Sequence, residues 1–216
     1  MSDDQGSLTG TGRLTRVLAW AVLLLGLWLW GRDLTGLPDG PTRGDVAGLG
    51  TFQLPDPAKP LDTALPRRVD IPELGIQAPV VARGLDSRGA IDPPPFDQPG
   101  VVGWYRGGVT PGATGPALLV GHVDTETGRA VFYQLSTLKP GETVRVVRSD
   151  GKVAEFTIDD VRVLPVDHFD AQLAYGPRVP GRAELRLITC GGTFDRTSHT
   201  YTANVIVSAY LTGTTP

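Results

Sequence analysis

The sequence has few charged residues, no excess of basic residues and a single cysteine. Charged side chains make up 20% of the 216 residues, with 20 lysines and arginines against 23 aspartates and glutamates. Such a chain has little capacity to neutralise phosphates, so the composition argues against a nucleic-acid binder. One cysteine cannot form an internal disulfide, and it also excludes C-x-x-C metal and redox motifs.

Glycine and proline, in contrast, are abundant, with 28 and 19 copies. This composition disfavours a helical bundle and favours short strands joined by turns. Strand-like runs recur between turn signals in the C-terminal two thirds of the chain, and helix signals are weak there, with candidates only at 130–135 and in a turn at 169–174. We therefore predict a mainly β fold, and a closed or nearly closed barrel protects the edges of so many strands.

The N-terminal third predicts a membrane anchor followed by a linker. Residues 17–31 carry no charge, and neighbouring residues extend this run toward the length that spans a bilayer. We predict a cytoplasmic N-terminus over 1–13 and a transmembrane anchor over 14–34. A cleaved signal peptide and a buried core helix are the alternatives. Residues 35–66 are rich in proline and glycine and predict a flexible linker. The folded domain is predicted over 67–211, with a tail over 212–216.

The lone cysteine and one histidine lie at equivalent positions in the pattern. Cys190 follows the apolar run Leu187–Thr189 and precedes two glycines, and His122 ends another apolar run, Leu118–Gly121. A thiol at a strand end is accessible to a substrate, and an imidazole beside it would serve as its proton acceptor. We interpret these two residues as a candidate nucleophile and base. The other histidines, His168 and His199, lie in polar loops and are interpreted as solvated.

A nucleophilic cysteine of this kind also needs a cation or other donor where the oxyanion develops. Arg196, six residues after Cys190, is the first candidate, with Arg186 and Arg129 as alternatives. Asp124 is interpreted either as a residue that orients His122 or as a turn former.

The runs Leu119–Asp124 and Leu187–Gly192, with sequences LVGHVD and LITCGG, resemble the sortase family of cysteine transpeptidases from Gram-positive cell envelopes. The L-x-T-C strand end is similar to that family's nucleophile motif, and the glycine-histidine pair upstream is similar to its histidine motif. The continuation C-G-G-x-F-D resembles actinobacterial class F most, with class E as a near relative. The resemblance covers about 67–209.

This resemblance implies an eight-stranded sortase barrel that carries out transpeptidation. Cys190 would attack an LPxTG-like sorting signal between threonine and glycine to give a thioester, with His122 as acid and base and Arg196 as the cation. Thr189 and Gly191 would contact the substrate. An amine from a cell-wall precursor, or a pilin lysine, would accept the acyl group. The implied location is the cell membrane, with a single span, the catalytic domain outside and the chain monomeric.

The sequence departs from the family in one respect. The best-known sortases carry their arginine on the final strand, but the corresponding stretch here, Tyr201–Asn204, has the sequence YTAN. We expect no cofactor and no metal site, because the short acidic pairs, Asp124 with Glu126 and Asp159 with Asp160, are explained as solvated turns. Two other functions stay open: a different transpeptidase acting on peptidoglycan, and a non-enzymatic anchored binding module with a structural cysteine.

Overall fold

The structure, a computed structural model, describes residues 53–87 and 89–216. The predicted anchor over 14–34 and most of the predicted linker lie outside these residues. Within the described part of the chain, no helix is long and apolar enough to cross a membrane. Residues 53–216 form one compact unit.

Eight strands close a barrel in the order β1-β2-β3-β4-β9-β10-β8-β7, and β5 pairs with β6 in a separate hairpin. The strand bounds are β1 Pro66–Ile71, β2 Ile76–Arg83, β3 Val102–Tyr105, β4 Gly115–Val120, β5 Asp124–Thr125, β6 Gly128–Arg129, β7 Thr143–Arg148, β8 Val153–Pro165, β9 Ala183–Asp195 and β10 Thr200–Thr215. Among the described residues, the α-helix α1 spans Ala171–Tyr175, and 3-10 turns occupy Pro72–Leu74, Leu135–Thr137 and Val166–His168. The predicted mainly β, eight-stranded barrel with short helices is confirmed.

The helix predicted over 130–135 is wrong. This stretch is a series of turns that ends in a 3-10 turn beginning at Leu135. Its backbone bonds instead to the residues that follow β4. Phe132 N–H donates to the His122 carbonyl at 3.0 Å, and Ala130 N–H donates to the Val123 carbonyl at 3.1 Å. The side chains of Phe132 and Leu135 are fully buried. The turn predicted at 169–174 contains α1.

Strand β9 is buried on both faces, which explains its continuous apolar run. Leu185 and Leu187 belong to the core inside the barrel. Ile188 faces the outside, where it forms a second cluster with Val120 and Ile206. Leu164 near the end of β8 packs against this cluster, and the segment between β8 and β9 covers it with Phe169, Ala174 and Tyr175. The exterior of β4, β9 and β10 is therefore an apolar surface with its own covering.

Both ends of the described chain are part of the barrel unit. Ala58 N–H donates to the Leu211 carbonyl and Leu61 N–H donates to the Gly112 carbonyl, each at 2.8 Å, in the stretch that we predicted as flexible linker. Strand β10 continues to Thr215, so it includes most of the predicted tail. The sequence did not predict this extension, because its threonines and glycine do not form the alternating apolar pattern typical of a strand.

Candidate active site

His122 lies two residues beyond the end of β4, and Cys190 lies within β9, the parallel neighbour of β4 in the barrel. The prediction that Cys190 ends its strand is wrong, because β9 continues to Asp195. Val120 of β4 is in register with Ile188 of β9, and Gly121 N–H donates to the Ile188 carbonyl at 3.1 Å. His122 and Cys190 each lie two residues further along, so continuing the register places them opposite each other. Adjacent strands are about 4.8 Å apart, and side chains two residues apart share a face. The fold thus brings together the two residues that the sequence singled out.

Glycines beside both residues allow close packing. A Cβ atom on Gly121 would lie 2.7 Å from the ring of Phe132, and one on Gly191 would lie 2.6 Å from Val205 Cγ2. Gly192 adopts a left-handed backbone with φ 76°, which glycine reaches without steric cost. A bend therefore follows Cys190 immediately, and the β9–β10 pairing shifts register there, between Tyr201 and Ala203 of β10.

His122 is almost completely enclosed, with 8% of its surface exposed. Its Nε2 lies 2.6 Å from the carbonyl oxygen of Pro94, in the loop between β2 and β3. The ring of Phe96 stacks on the imidazole with centroids 4.2 Å apart and an interplanar angle of 21°. The imidazole is thus fixed by its edge and by its face.

Cys190 has a different environment, because it lies on the exposed surface as a free thiol. Partial burial of the sulfur raises the pKa of Cys190, and the negative charge of Asp124 raises that pKa further. The uncharged thiol is therefore the favoured resting form. A thiol in this state needs a base to remove its proton before it can act as a nucleophile.

Asp124 accepts a short hydrogen bond from the phenolic hydroxyl of Tyr201 on β10. This bond raises the pKa of Tyr201 to about 12. Asp124 begins β5, and its bonding partner is Tyr201 rather than His122. Asp124 thus lies in a strand and its side chain binds Tyr201, which is neither of the two roles interpreted from the sequence.

Arg196 lies beyond the end of β9, in the turn that connects it to β10, and its side chain is exposed. Asp195, the last residue of β9, lies five residues beyond Cys190. A straight strand of that length measures about 16 Å, so a straight hairpin would hold Arg196 away from Cys190. The hairpin is not straight, however, because its base bends at Gly192. Tyr201, which pairs with Phe194 near the turn of this hairpin, reaches across to Asp124.

The other two arginines have defined positions. Arg186 is fully buried, where Nη2 donates to Glu184 at 2.5 Å and to the Gly176 carbonyl at 2.9 Å. It holds the segment after α1 against β9 and does not serve as a cation for the substrate. Arg129 is exposed and lies opposite Asp124 in the register of the β5–β6 hairpin. Its guanidinium stacks over the Tyr133 ring, 4.4 Å from the ring centroid.

The predicted substrate-contacting residues differ in orientation. Thr189 is buried, and its Oγ1 is enclosed without a hydrogen-bond partner in the described part of the chain. Its side chain points away from the face that carries Cys190, so only its backbone can reach a substrate on that face. Gly191 is buried against Val205, and it likewise offers only backbone.

The described residues contain no group of three or more acidic, histidine or cysteine side chains able to hold a metal ion. His168 is 83% exposed at the side chain, and His199 is exposed in the β9–β10 turn. Neither lies on β9 with Cys190 or just after β4 with His122.

Sequence reasoning missed Pro94, Phe96 and Tyr201 as parts of the site. The three consecutive prolines followed by phenylalanine were a signal in the sequence for a stiff loop, because proline fixes the backbone φ angle. Nothing in the sequence indicated that this loop crosses His122.

A family model described as a Sortase domain matches residues 69–212, which is more than half of the chain. No curated protein matches the sequence.

Solved structures with the same fold include sortase C-1 from Actinomyces oris, with 24% identity, a TM-score of 0.50 and coverage of 67% of this chain and 72% of that one. Sortase C-1 from Streptococcus pneumoniae has 22% identity, a TM-score of 0.51 and coverage of 67% and 65%. A lid mutant of sortase A from Corynebacterium diphtheriae has 18% identity, a TM-score of 0.53 and coverage of 72% and 74%. This chain spans slightly less than two thirds of the S. pneumoniae protein.

At these identities the structures show the fold alone, and assignment to class F or class E stays a prediction. The family match covers the barrel, His122 and Cys190 together. The chain belongs to the sortase family of cysteine transpeptidases.

Proposed function

We propose that this chain cleaves an LPxTG-like sorting signal between threonine and glycine and transfers the acyl group to an amine. The observation that carries the proposal is the register of β4 and β9, which aligns His122 with Cys190. The exposed thiol supports it too, because a binding module with a structural cysteine would bury that residue. No observation favours a transpeptidase of another family.

The reaction proceeds in two steps. His122 accepts the thiol proton, Cys190 Sγ attacks the threonine carbonyl carbon, and the Thr–Gly bond breaks as the imidazolium protonates the leaving nitrogen. The incoming amine then attacks the thioester, His122 takes its proton, and the C–S bond breaks to release Cys190. The acceptor is an amine of a cell-wall precursor, with a pilin lysine as the alternative.

The apolar surface beside the cysteine suits the leucine and proline of such a signal. Cys190 pairs with Asn204 of β10, and Ile206 lies two residues further on the same face. Ile206 lines a cavity of about 290 Å³ together with the apolar Leu164 and Leu173, and its lining also includes the charged and polar residues Asp160, Arg162, Gln172, Arg178 and Ser208. A peptide lying along β10 would place its apolar residues over this cavity and its threonine at the thiol.

Arg196 is proposed as the cation that binds the substrate carbonyl and the oxyanion. It is the only arginine after Cys190, and the bend at Gly192 with the Tyr201–Asp124 bond supports a hairpin that leans over the site. Arg129, which pairs with Asp124, is the alternative. The N-terminal segment over 14–34 is proposed to anchor a monomer in the membrane of a Gram-positive cell, with the barrel outside.

The test is incubation of the full-length chain with LPxTG, LAxTG and LPxTA peptides and an amine, read by mass spectrometry. We expect a thioester on Cys190 and an amide product whose mass locates the cleavage after threonine. Cys190→Ala serves as the control and should give neither. Absence of both species with every peptide, from a folded protein, would contradict the proposed specificity.

A further inference from the structure

The loop between β2 and β3 holds the catalytic histidine in a way that sequence motifs do not predict. We call its residues 92–99, with sequence DPPPFDQP, the proline strap. The strap crosses His122, with the Pro94 carbonyl oxygen at 2.6 Å from Nε2 and the Phe96 ring on the imidazole face. Pro94 itself is buried.

The contact with Pro94 determines which nitrogen carries a hydrogen. A carbonyl oxygen only accepts hydrogen bonds, so His122 Nε2 must be the donor. In the neutral imidazole the other nitrogen, Nδ1, then carries the lone pair. Nδ1 has no hydrogen-bond partner in the described part of the chain, and it is not among the enclosed atoms that lack one.

The stacked ring of Phe96 fixes the plane of the imidazole. Phe96 is 67% exposed, so the hydrophobic effect of burying this ring contributes little to folding. An exposed phenylalanine that nevertheless lies parallel to a buried histidine is placed for that contact. Stacked aromatic rings attract each other beyond the area that they bury.

Both ends of the strap are tied to the barrel. Asp92 forms an ion pair with Arg83 at the end of β2, and its N–H donates to the Gly84 carbonyl at 3.0 Å. At the other end, Val131 N–H donates to the Pro99 carbonyl at 2.8 Å. Three consecutive prolines between these ties fix the backbone φ angles, so the Pro94 carbonyl is presented by a stiff segment.

We propose that the Pro94 carbonyl and the Phe96 ring are positioning groups that hold His122 in its Nε2–H form and leave Nδ1 as the atom that exchanges protons with Cys190 and with the amines. The thiol proton moves to Nδ1, while Nε2–H remains bonded to Pro94 in both charge states. The imidazolium then gives its Nδ1 proton to the leaving amine, and Nδ1 later accepts one from the incoming amine. The role of Nδ1 in the reaction rests on the proposed function, whereas the tautomer of the resting protein does not.

The first test is long-range ¹H–¹⁵N NMR of the full-length chain labelled at histidine, which distinguishes protonated from unprotonated ring nitrogens. His168→Gln and His199→Gln assign the other two signals. We expect neutral His122 to carry its hydrogen on Nε2 alone. A hydrogen on Nδ1, or a mixture of both forms, would overturn the proposal.

The second test separates positioning from substrate contact by kinetics. We expect Phe96→Leu to lower kcat by about tenfold, a part of what general acid–base catalysis contributes, with KM unchanged and a mixture of tautomers in the NMR spectrum. Phe96→Tyr should keep both kcat and the single tautomer, and Asp167→Asn, an exposed carboxylate outside the strap, should behave as the unmodified protein. A rise in KM with kcat unchanged would make Phe96 a substrate contact instead.

The two proposals fail in different ways. If His122 carries its hydrogen on Nε2 but no peptide is processed, the proposed function fails and the tautomer assignment stands. If peptides are processed while the hydrogen lies on Nδ1, the proposed function stands and the role of the strap is wrong.

Discussion

His122, just after β4, and Cys190, within β9, are the two proposed reacting residues, and their surroundings differ. His122 is 8% exposed and is held by a hydrogen bond and a stacked ring. Cys190 is exposed, and its nearest charged influence is the carboxylate of Asp124. The structure holds the side chain of His122 in place and leaves the side chain of Cys190 open to a ligand.

This difference fits the tasks of an acid–base group and a nucleophile. The histidine must present one nitrogen in one direction, since proton transfer needs hydrogen-bond geometry. The cysteine must admit a peptide carbonyl from outside. Rigidity at β4 and access at β9 are therefore two parts of one site.

The largest effect is expected from removing either reacting group. Cys190→Ala should abolish thioester formation, and His122→Ala should lower the transfer rate by about 10²–10⁴-fold because general acid–base catalysis is lost. Quantitative mass spectrometry of acyl-enzyme and product measures both. His168→Ala, an exposed histidine elsewhere, is the matched control. A His122→Ala protein with full activity would show that the register of the strands has no catalytic meaning.

A smaller loss is expected at the open end, from the cation. Arg196→Ala should lower the rate of acylation by about 10²–10³-fold, the size of a lost oxyanion contact. Arg129→Ala, measured in parallel by single-turnover mass spectrometry, should have a much smaller effect. A larger loss in Arg129→Ala than in Arg196→Ala would mean that Arg129 of the β5–β6 hairpin, and not Arg196 of the β9–β10 hairpin, binds the oxyanion.

The packing just after β4, beside His122, can be tested by a substitution at Gly121. A Cβ on Gly121 would meet Phe132 and Val131 at 2.7–2.8 Å. Gly121→Ala should therefore lower the free energy of unfolding by about 1–3 kcal/mol, as overpacking does. Chemical denaturation measures the change, and Gly100→Ala, with nothing within 4 Å of its added Cβ, is the control. Equal stability of the two variants would mean that the end of β4 is not tightly packed.

The smallest effect concerns the charge beside the thiol. Burial raises the pKa of Cys190, and the charge of Asp124 raises it further, so Asp124→Asn should lower that pKa and increase the thiolate fraction near neutral pH. Cys190 is the only cysteine, so the pH dependence of alkylation by iodoacetamide reports it directly. Asp167→Asn, an exposed carboxylate elsewhere, should leave the curve in place. An upward shift in Asp124→Asn would contradict the sign.

The sequence predicted the parts of the fold and site that depend on local pattern. The run over 143–148 matched β7, because its side chains alternate between the core and solvent. Cys190 and His122 were found because each ends an apolar run that the barrel buries. Their alignment was expected only as a possibility of adjacent strands, and the parallel register supplied it.

Features that depend on tertiary contacts were not predictable. Nothing local distinguishes Pro94 from its neighbours, since its role comes from a carbonyl that meets a side chain 28 residues away. Arg186 was a candidate cation because its position shares a strand face with Cys190, but burial pairs it with Glu184. The extent of β10 was underestimated because pairing with β8, rather than side-chain pattern, carries it to Thr215.

The parallel pairing of β4 with β9 also has a consequence for how the protein acquires reactivity. These strands are separated in the chain by β5, β6, β7, β8 and α1, and such distant contacts form slowly because a long loop must first be closed. Until β4 and β9 pair, Cys190 lacks the neighbouring imidazole of His122. The thiol and its proposed base therefore come together only when the barrel is complete.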